Sequence, residues 1–203
     1  MAKLKLGVIA SGRGSNLQAI IDNIKSGKLD AQINVVICDK ADAYALDRAK
    51  QSGIPAVKIL RSEYASKIEF EQAIIDCLKV YNTHLVVLAG FMRIISAEFI
   101  RQFPNRIINI HPALLPSFTG LHAQRQAIEY GAKISGCTVH FVDEGMDTGP
   151  IIMQKAVDVS DCDDEESLSA KILTCEHELY SKVLQLYSEG RISVKGRRVI
   201  VGK

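Results

Sequence analysis

Charge of one sign is what this 203-residue sequence has little of: 25 basic residues face 23 acidic ones, for a formal net charge of +2. A field so small argues against an extended nucleic-acid footprint, and Lys195, Arg197 and Arg198 read as a solvated surface cluster. The five cysteines, at 38, 77, 137, 162 and 175, include no closely spaced pair, so neither a zinc site nor a disulfide framework is signalled. Cys38, Cys77 and Cys137 lie in apolar runs and read as buried thiols, which suits a reducing, cytoplasmic setting. No apolar run reaches membrane-spanning length, and the opening MAKLKLGVIA turns polar too soon for a signal peptide. Internal repeats, low-complexity segments and linkers are also missing.

What is present is an alternation of two kinds of segment. Near-continuous apolar runs at 4–11, 33–39, 56–60, 84–90 and 106–111 read as buried strands. Between them, 15–27, 43–53, 64–81 and 96–102 carry helical spacing, with Gly27 and Gly53 as stops. This βαβα order predicts an α/β fold: a mostly parallel twisted sheet with helices on both faces. After His122 the pattern changes to a helix at 122–130, strands at 136–142 and 149–159, a long helix at 165–187 and a C-terminal antiparallel hairpin. Leu168, Ile172, Leu179, Val183 and Leu186 form the apolar stripe of the long helix. The simplest organisation is one domain over 1–203, with a phosphate-binding βαβ half at 1–110 and a catalytic half at 111–203.

Two polar constellations interrupt this pattern. The first is ASGRGSNLQA, which sets Gly12, Gly14, Ser15 and Asn16 between a strand and a helix. Glycines allow a close backbone approach, and a helix N-terminus offers free amides, so an anion such as phosphate fits. The bland alternative is a tight turn capped by the Ser15 or Asn16 side chain. A dinucleotide fingerprint is half matched: Gly12-x-Gly14 is followed by Leu17 where a third glycine belongs, although Asp39 ends the second strand where a ribose-binding acid would sit.

The second constellation is RIINIHPALLP. Strand side chains alternate, so Asn109 and His111 share a face, and Pro112 and Pro116 end the ladder. An amide and an imidazole thus stand at the carboxyl end of a strand, where open α/β sheets bind ligands. His84 and His177 read as uninvolved, His140 as a satisfied core histidine, and His122 as a cap or a site residue. The run VDEGMDTGP carries Asp143, Glu144 and Asp147 in a glycine-rich loop that lacks the calcium-loop pattern. A carboxylate beside an imidazole makes an acid–base pair. No G-x-S-x-G or nucleophilic cysteine motif is present, so direct transfer between two bound substrates is favoured over covalent catalysis.

The segments GVIASGRGSNLQAII, VVLAGFMRII, NIHPALLPSFTGLHAQRQAI and VHFVDEGMDTGPII resemble, in order and over nearly the whole chain, the phosphoribosylglycinamide formyltransferases. These belong to the folate-dependent formyltransferase superfamily. The resemblance implies a Rossmann-like formyltransferase fold. It also implies transfer of the formyl group of 10-formyltetrahydrofolate, a co-substrate, to glycinamide ribonucleotide in purine biosynthesis, with no metal. It assigns catalysis to Asn109, His111 and Asp147. Gly14, Ser15, Asn16 and Glu176 would hold the ribonucleotide; Glu176 also lies at the edge of its helix's apolar stripe, where an idle carboxylate is unusual. Lys67, Met92, Arg93, Ile94, Ile95, Asn109, Asp143 and Glu144 would meet the folate. Ile95 stands where relatives usually have Leu, and Lys67 where they often have Arg, so bidentate carboxylate pairing would be lost there. The expected partners are these small molecules, without nucleic acid or membrane, and the expected state is a monomer or homodimer. Two alternatives remain, a formyltetrahydrofolate hydrolase and a noncatalytic nucleotide-binding protein. The absence of an added N-terminal or C-terminal domain in the sequence leans toward the ribonucleotide acceptor.

Overall fold

The computed structural model describes residues 3–202. They pack as two compact units that divide between Ile108 and Asn109. The first unit opens with β1 (Leu4–Ala10), α1 (Ser15–Lys25), β2 (Ala31–Cys38), α2 (Tyr44–Gln51) and β3 (Ala56–Lys58). A 3₁₀ turn (Arg61–Glu63), α3 (Lys67–Val80), β4 (Leu85–Leu88) and α4 (Ala97–Gln102) follow. β5 (Ile107–His111) begins in this unit and ends in the next. The second unit continues with α5 (Ala123–Tyr130), β6 (Ile134–Phe141), β7 (Ile151–Asp158), α6 (Glu165–Ser188), β8 (Ile192–Lys195) and β9 (Arg198–Val201). Strand order is β3-β2-β1-β4-β5-β6-β7, with β8 and β9 as a separate antiparallel hairpin.

The order of the first four strands decides where that unit can bind anything. β1 pairs in parallel with β2 (Leu6 with Ile33) and with β4 (Leu6 with Leu85). The connection after β1 therefore runs to one side and the chain returns on the other, which makes β1/β4 a topological switch point. The right-handed crossover rule puts α1 and α2 on one face and α3 on the opposite one. Loops leaving β1 and β4 meet at this switch, where the Ser11 amide donates to the Gly90 carbonyl at 3.0 Å.

Every expected strand and helix is present, and the differences lie at their ends. The run 84–90 yields a strand only at Leu85–Leu88, and 56–60 only at Ala56–Lys58. Helix α3 starts at Lys67 rather than 64 because the Ser66 hydroxyl caps it, accepting the Glu69 amide at 3.1 Å. The α6 stripe of Leu168, Ile172, Leu179, Val183 and Leu186 is buried. All five cysteines are free; burial pushes the Cys38 and Cys137 thiols up to about 12, which leaves them inert. Cys77 is only half-buried.

In the second unit the turn after β5 poses an accounting problem. Ala113 and Leu115 are buried, and a buried backbone needs partners. Thr138 on β6 supplies them: its hydroxyl donates to the Ala113 carbonyl at 2.7 Å and accepts the Leu115 amide at 3.0 Å. Gln154 on β7 donates to the Leu115 carbonyl at 2.9 Å and to the Thr138 hydroxyl at 2.9 Å. The Leu115–Pro116 peptide is cis. Thr138→Val keeps shape but orphans two buried groups, and is expected to cost about 2–4 kcal/mol in urea unfolding. Thr138→Ser should retain most of that stability.

Candidate active site

The first unit presents a cradle made of backbone. Gly14 is the N-cap of α1 with φ 68°, and no side chain caps this helix, so neither Ser15 nor Asn16 serves as the cap. α2 sets the peptide orientation of the loop. The Ala45 amide donates to the Gly12 carbonyl at 3.1 Å, and Arg48 Nε donates to the Arg13 carbonyl at 2.8 Å. An amide N–H points opposite to the carbonyl of its own peptide plane. With both carbonyls turned toward α2, the amides of Arg13 and Gly14 are directed away from it, as an anion nest requires. A Cβ on Gly14 would stand 2.8 Å from Ala45 Cβ, so the close approach of α2 also requires glycine. Asn16 is buried on the first turn.

The segment leaving β4 lies at the same switch point. Met92 and Ile94 are exposed, Ile95 is buried, and the Met92 amide donates to the Ser11 hydroxyl at 3.1 Å. Arg93 Nε donates to Asp39 Oδ2 at 2.6 Å. This pair removes the main support for dinucleotide binding, because the acid at the end of β2 is already committed to a guanidinium. Lys67 stands 3.6 Å from Glu71 with half of its side chain exposed.

The second unit gathers the acid–base groups. Asn109 and His111 come from β5, and His140 comes from β6. Asp147 comes from the loop after β6, at φ 55°, a conformation uncommon for a residue with a side chain. The loop is pressed against β6: a Cβ on Gly149 would meet the Phe141 carbonyl oxygen at 1.7 Å. Asp147 Oδ2 accepts the Gly120 amide at 2.8 Å and stands 3.4 Å from His111 Nδ1. His111 Nε2 lies 2.7 Å from the Phe118 carbonyl, which can only accept, so Nε2 carries a hydrogen. Nδ1 is left facing the Asp147 carboxylate across the 3.4 Å gap.

His140 is buried with both ring nitrogens bonded, the satisfied core histidine expected, and it also stands in this cluster, which the sequence reading did not foresee. Its Nδ1 donates to the Phe141 carbonyl at 2.9 Å, and burial lowers its pKa, so Nε2 is left as an acceptor. Asn109 Nδ2 donates to that Nε2 at 3.3 Å. The neutral ring therefore orients the Asn109 amide, and its 3.8 Å approach to Asp147 is not an ion pair. Ser135, Thr138 and His140 are all buried polar residues of β6, so polarity alone did not single His140 out.

The remaining expected residues differ in what they do. Asp143 Oδ1 accepts the Gly145 amide at 3.2 Å and the Thr148 hydroxyl at 2.6 Å, so it closes its own loop. Glu144 is exposed. Glu176 is buried on α6 and is not a boundary residue reaching water. His122 is the N-cap of α5 at φ 58°, with no side-chain cap bond and 3.9 Å from Glu165. Arg197 is not simply solvated, since it donates to the Thr148 carbonyl at 2.7 Å and ties the hairpin to the Asp147 loop. Among the described residues, no group of three or more His, Cys, Asp and Glu side chains is disposed to hold a metal, and no helix is long and apolar enough to cross a membrane.

The buried His140 fixes a pH dependence. Burial holds its pKa below the ordinary 6.5, and it acts on His177 in the same direction. As pH falls through 6.5 the unfolded chain takes up protons that the folded chain refuses. Unfolding should therefore become easier below about pH 6.5, by up to about 1.4 kcal/mol per pH unit for each proton. Urea unfolding between pH 7.5 and 5 should show a shallower slope in His140→Gln than in the unaltered chain. Equal slopes would contradict this account.

A family model described as "Formyl transferase" matches residues 4–184. The chain is 43% identical over 181 residues to a phosphoribosylglycinamide formyltransferase of Bacillus subtilis, covering 89% of this chain and 93% of that protein. It is 45% identical over 188 residues to the trifunctional purine biosynthetic protein adenosine-3 of Drosophila melanogaster. That match covers 92% of this chain but only 14% of the much longer relative. The crystal structure of glycinamide ribonucleotide transformylase 1 from Symbiobacterium toebii superposes with a TM-score of 0.98 at 46% identity, over 100% of this chain and 95% of that one. With a family match spanning both the Gly12–Asn16 loop and the Asn–His–Asp cluster, the chain belongs to the formyl transferase family.

Proposed function

We propose that this chain transfers the formyl group of 10-formyltetrahydrofolate to the amine of glycinamide ribonucleotide, releasing tetrahydrofolate, as a step of purine biosynthesis. The observation that carries the reading is the meeting of His111 Nδ1 with Asp147 Oδ2 at 3.4 Å, beside an Asn109 amide oriented by His140. Such a set suits acyl transfer to an amine, in which one proton must leave the nucleophile and another must reach the leaving nitrogen. The cradle at Gly14, Ser15 and Asn16 supports a phosphate-bearing acceptor, and so does the similarity to phosphoribosylglycinamide formyltransferases.

The chemistry follows from the proton inventory. The ribonucleotide amine forms a bond to the formyl carbon, and the carbonyl electron pair moves onto oxygen. Asn109 has a second amide hydrogen beyond the one given to His140, and His111 has the proton at Nδ1; both serve as donors to the oxyanion. One such donor contributes roughly 3–4 kcal/mol to lowering the barrier. Nε2 already donates to Phe118, so the donor is Nδ1, whose proton is shared between the Asp147 carboxylate and the oxyanion. Asp147 accepts the proton lost by the attacking amine and returns it to the folate nitrogen as the old carbon–nitrogen bond breaks, directly or through water. Charge and protons balance, and no covalent enzyme intermediate forms.

On this reading Glu176 meets the ribonucleotide, and Lys67 meets the folate tail as a point charge already shared with Glu71. Met92, Arg93, Ile94 and Ile95 flank the folate ring, and Asp143 and Glu144 border it through the loop they shape. The organisation proposed is a single domain that binds phosphate through the first unit and carries the acid–base groups in the second.

A spectrophotometric assay with the purified chain and a 10-formyl folate analogue tests the proposal. Release of the deformylated folate should require glycinamide ribonucleotide; release without it would identify a hydrolase instead, and no release in either case would leave a binding protein. Asp147→Asn should lower kcat by about 100-fold or more, and Asn109→Ala by about 100- to 1000-fold. Near-normal turnover in Asp147→Asn would remove the assigned role.

A further inference from the structure

Residues 91–95, between β4 and α4, form neither helix nor strand, yet hold Met92 61% and Ile94 56% exposed. A loop without regular structure has no built-in reason to hold one pose. This one is held by three polar anchors from three other elements. Ser11, just after β1, accepts the Met92 amide at 3.1 Å. Asp39, just after β2, accepts Arg93 Nε at 2.6 Å. Glu71, on α3, accepts the Ser96 amide at 3.0 Å and also the Ser96 hydroxyl. The Arg93 guanidinium carbon further lies 5.7 Å from the centre of the Phe70 ring.

The anchors are costly. Ser11, Asp39 and Glu71 are all buried. The Asp39 side chain is 2% exposed, and its Oδ1 is buried with no hydrogen-bond partner. A buried carboxylate using only one of its oxygens is a poor device for stability alone. It does fix the direction of its partner. Tying down Met92, Arg93 and Ser96 leaves the intervening peptides little freedom, so the outward pose of Met92 and Ile94 is set before any ligand arrives.

We propose that Asp39 is a positioning residue for the formyl donor. Acting through Arg93, it presents Met92 and Ile94 as a preformed apolar face for the flat heteroaromatic ring of the folate. The inference rests on the formyl-transfer reading for the identity of the ligand. Ordering cost is then met during folding, which raises donor affinity and leaves affinity for the phosphate-bearing acceptor unchanged.

Isothermal titration of a 10-formyl folate analogue into Asp39→Asn reads this without turnover, and steady-state kinetics with both substrates follow. The expected result is donor affinity weakened by about 5- to 20-fold and donor KM raised in parallel. The ribonucleotide KM should stay within about twofold of the parent value, and kcat should fall far less than the donor affinity. A merely structural role would not split the two KM values. Arg93→Lys keeps the charge but loses the planar fork, on a side chain 42% exposed, and should weaken the donor by a smaller factor. It decides the matter if Asp39→Asn does not fold. Donor affinity within twofold of the parent in the folded variants would overturn the proposal. Normal donor binding by the parent chain without transfer to the ribonucleotide would instead overturn the formyl-transfer reading and leave the positioning role standing on the titration.

Discussion

The carboxylate of Asp147 is the group on which the second unit converges. It reaches the Gly120 amide at 2.8 Å, His111 at 3.4 Å and His140 at 3.8 Å. Each contact imposes a demand on the chain. The left-handed backbone at Asp147 and the tight seat of Gly149 against Phe141 aim the loop. The chain at 112–116 must leave β5 without orphaning its buried amides, which requires the Thr138 hydroxyl. A loop conformation that is intrinsically unfavourable persists only when the surroundings over-determine it. Here the hairpin contributes as well, through Arg197. Precision at one carboxylate thus explains features spread over strands, turns and the C-terminal hairpin.

How far the sequence discloses this depends on the range of the interaction. Branched apolar runs and glycine stops are local, so the elements were legible. Their boundaries were less so: Ile59 and Ala89, just past β3 and β4, are apolar and still donate to the Cys38 and Ile9 carbonyls of the neighbouring strands, so hydrophobicity does not mark where the ladder ends. Asn109 and His111 were legible as a pair because strand alternation is a local rule. His140 was not. β6 is buried on both faces, so alternation carries no contrast there, and the register shifts between Val139 and His140. A bulge of that kind re-aims a side chain without leaving a mark in composition.

Asp39 shows the opposite failure. Its position after the second strand invites a ribose-binding reading, and only a residue 54 positions away along the chain reverses it. Burial with a committed partner turns a ligand-binding acid into a brace. The cradle shows the same dependence: Gly12-x-Gly14 announces a close approach, but the direction of its amides is set by Ala45 and Arg48 on a different helix. Motif residues specify what the backbone can do, and the packing partner specifies which way it does it.

Two imidazoles within reach of one carboxylate would be redundant if their surroundings matched. They do not match. His111 faces an oxygen at each ring nitrogen, whereas His140 faces one carbonyl and one amide donor. Burial disfavours charge on the second ring, which is complemented by a single hydrogen at Nδ1. Separation of roles between chemically identical groups arises from what their neighbours can accept or donate. The two rings are thus distinguished by their neighbours: the Phe118 carbonyl and the Asp147 carboxylate around one, the Phe141 carbonyl and the Asn109 amide around the other.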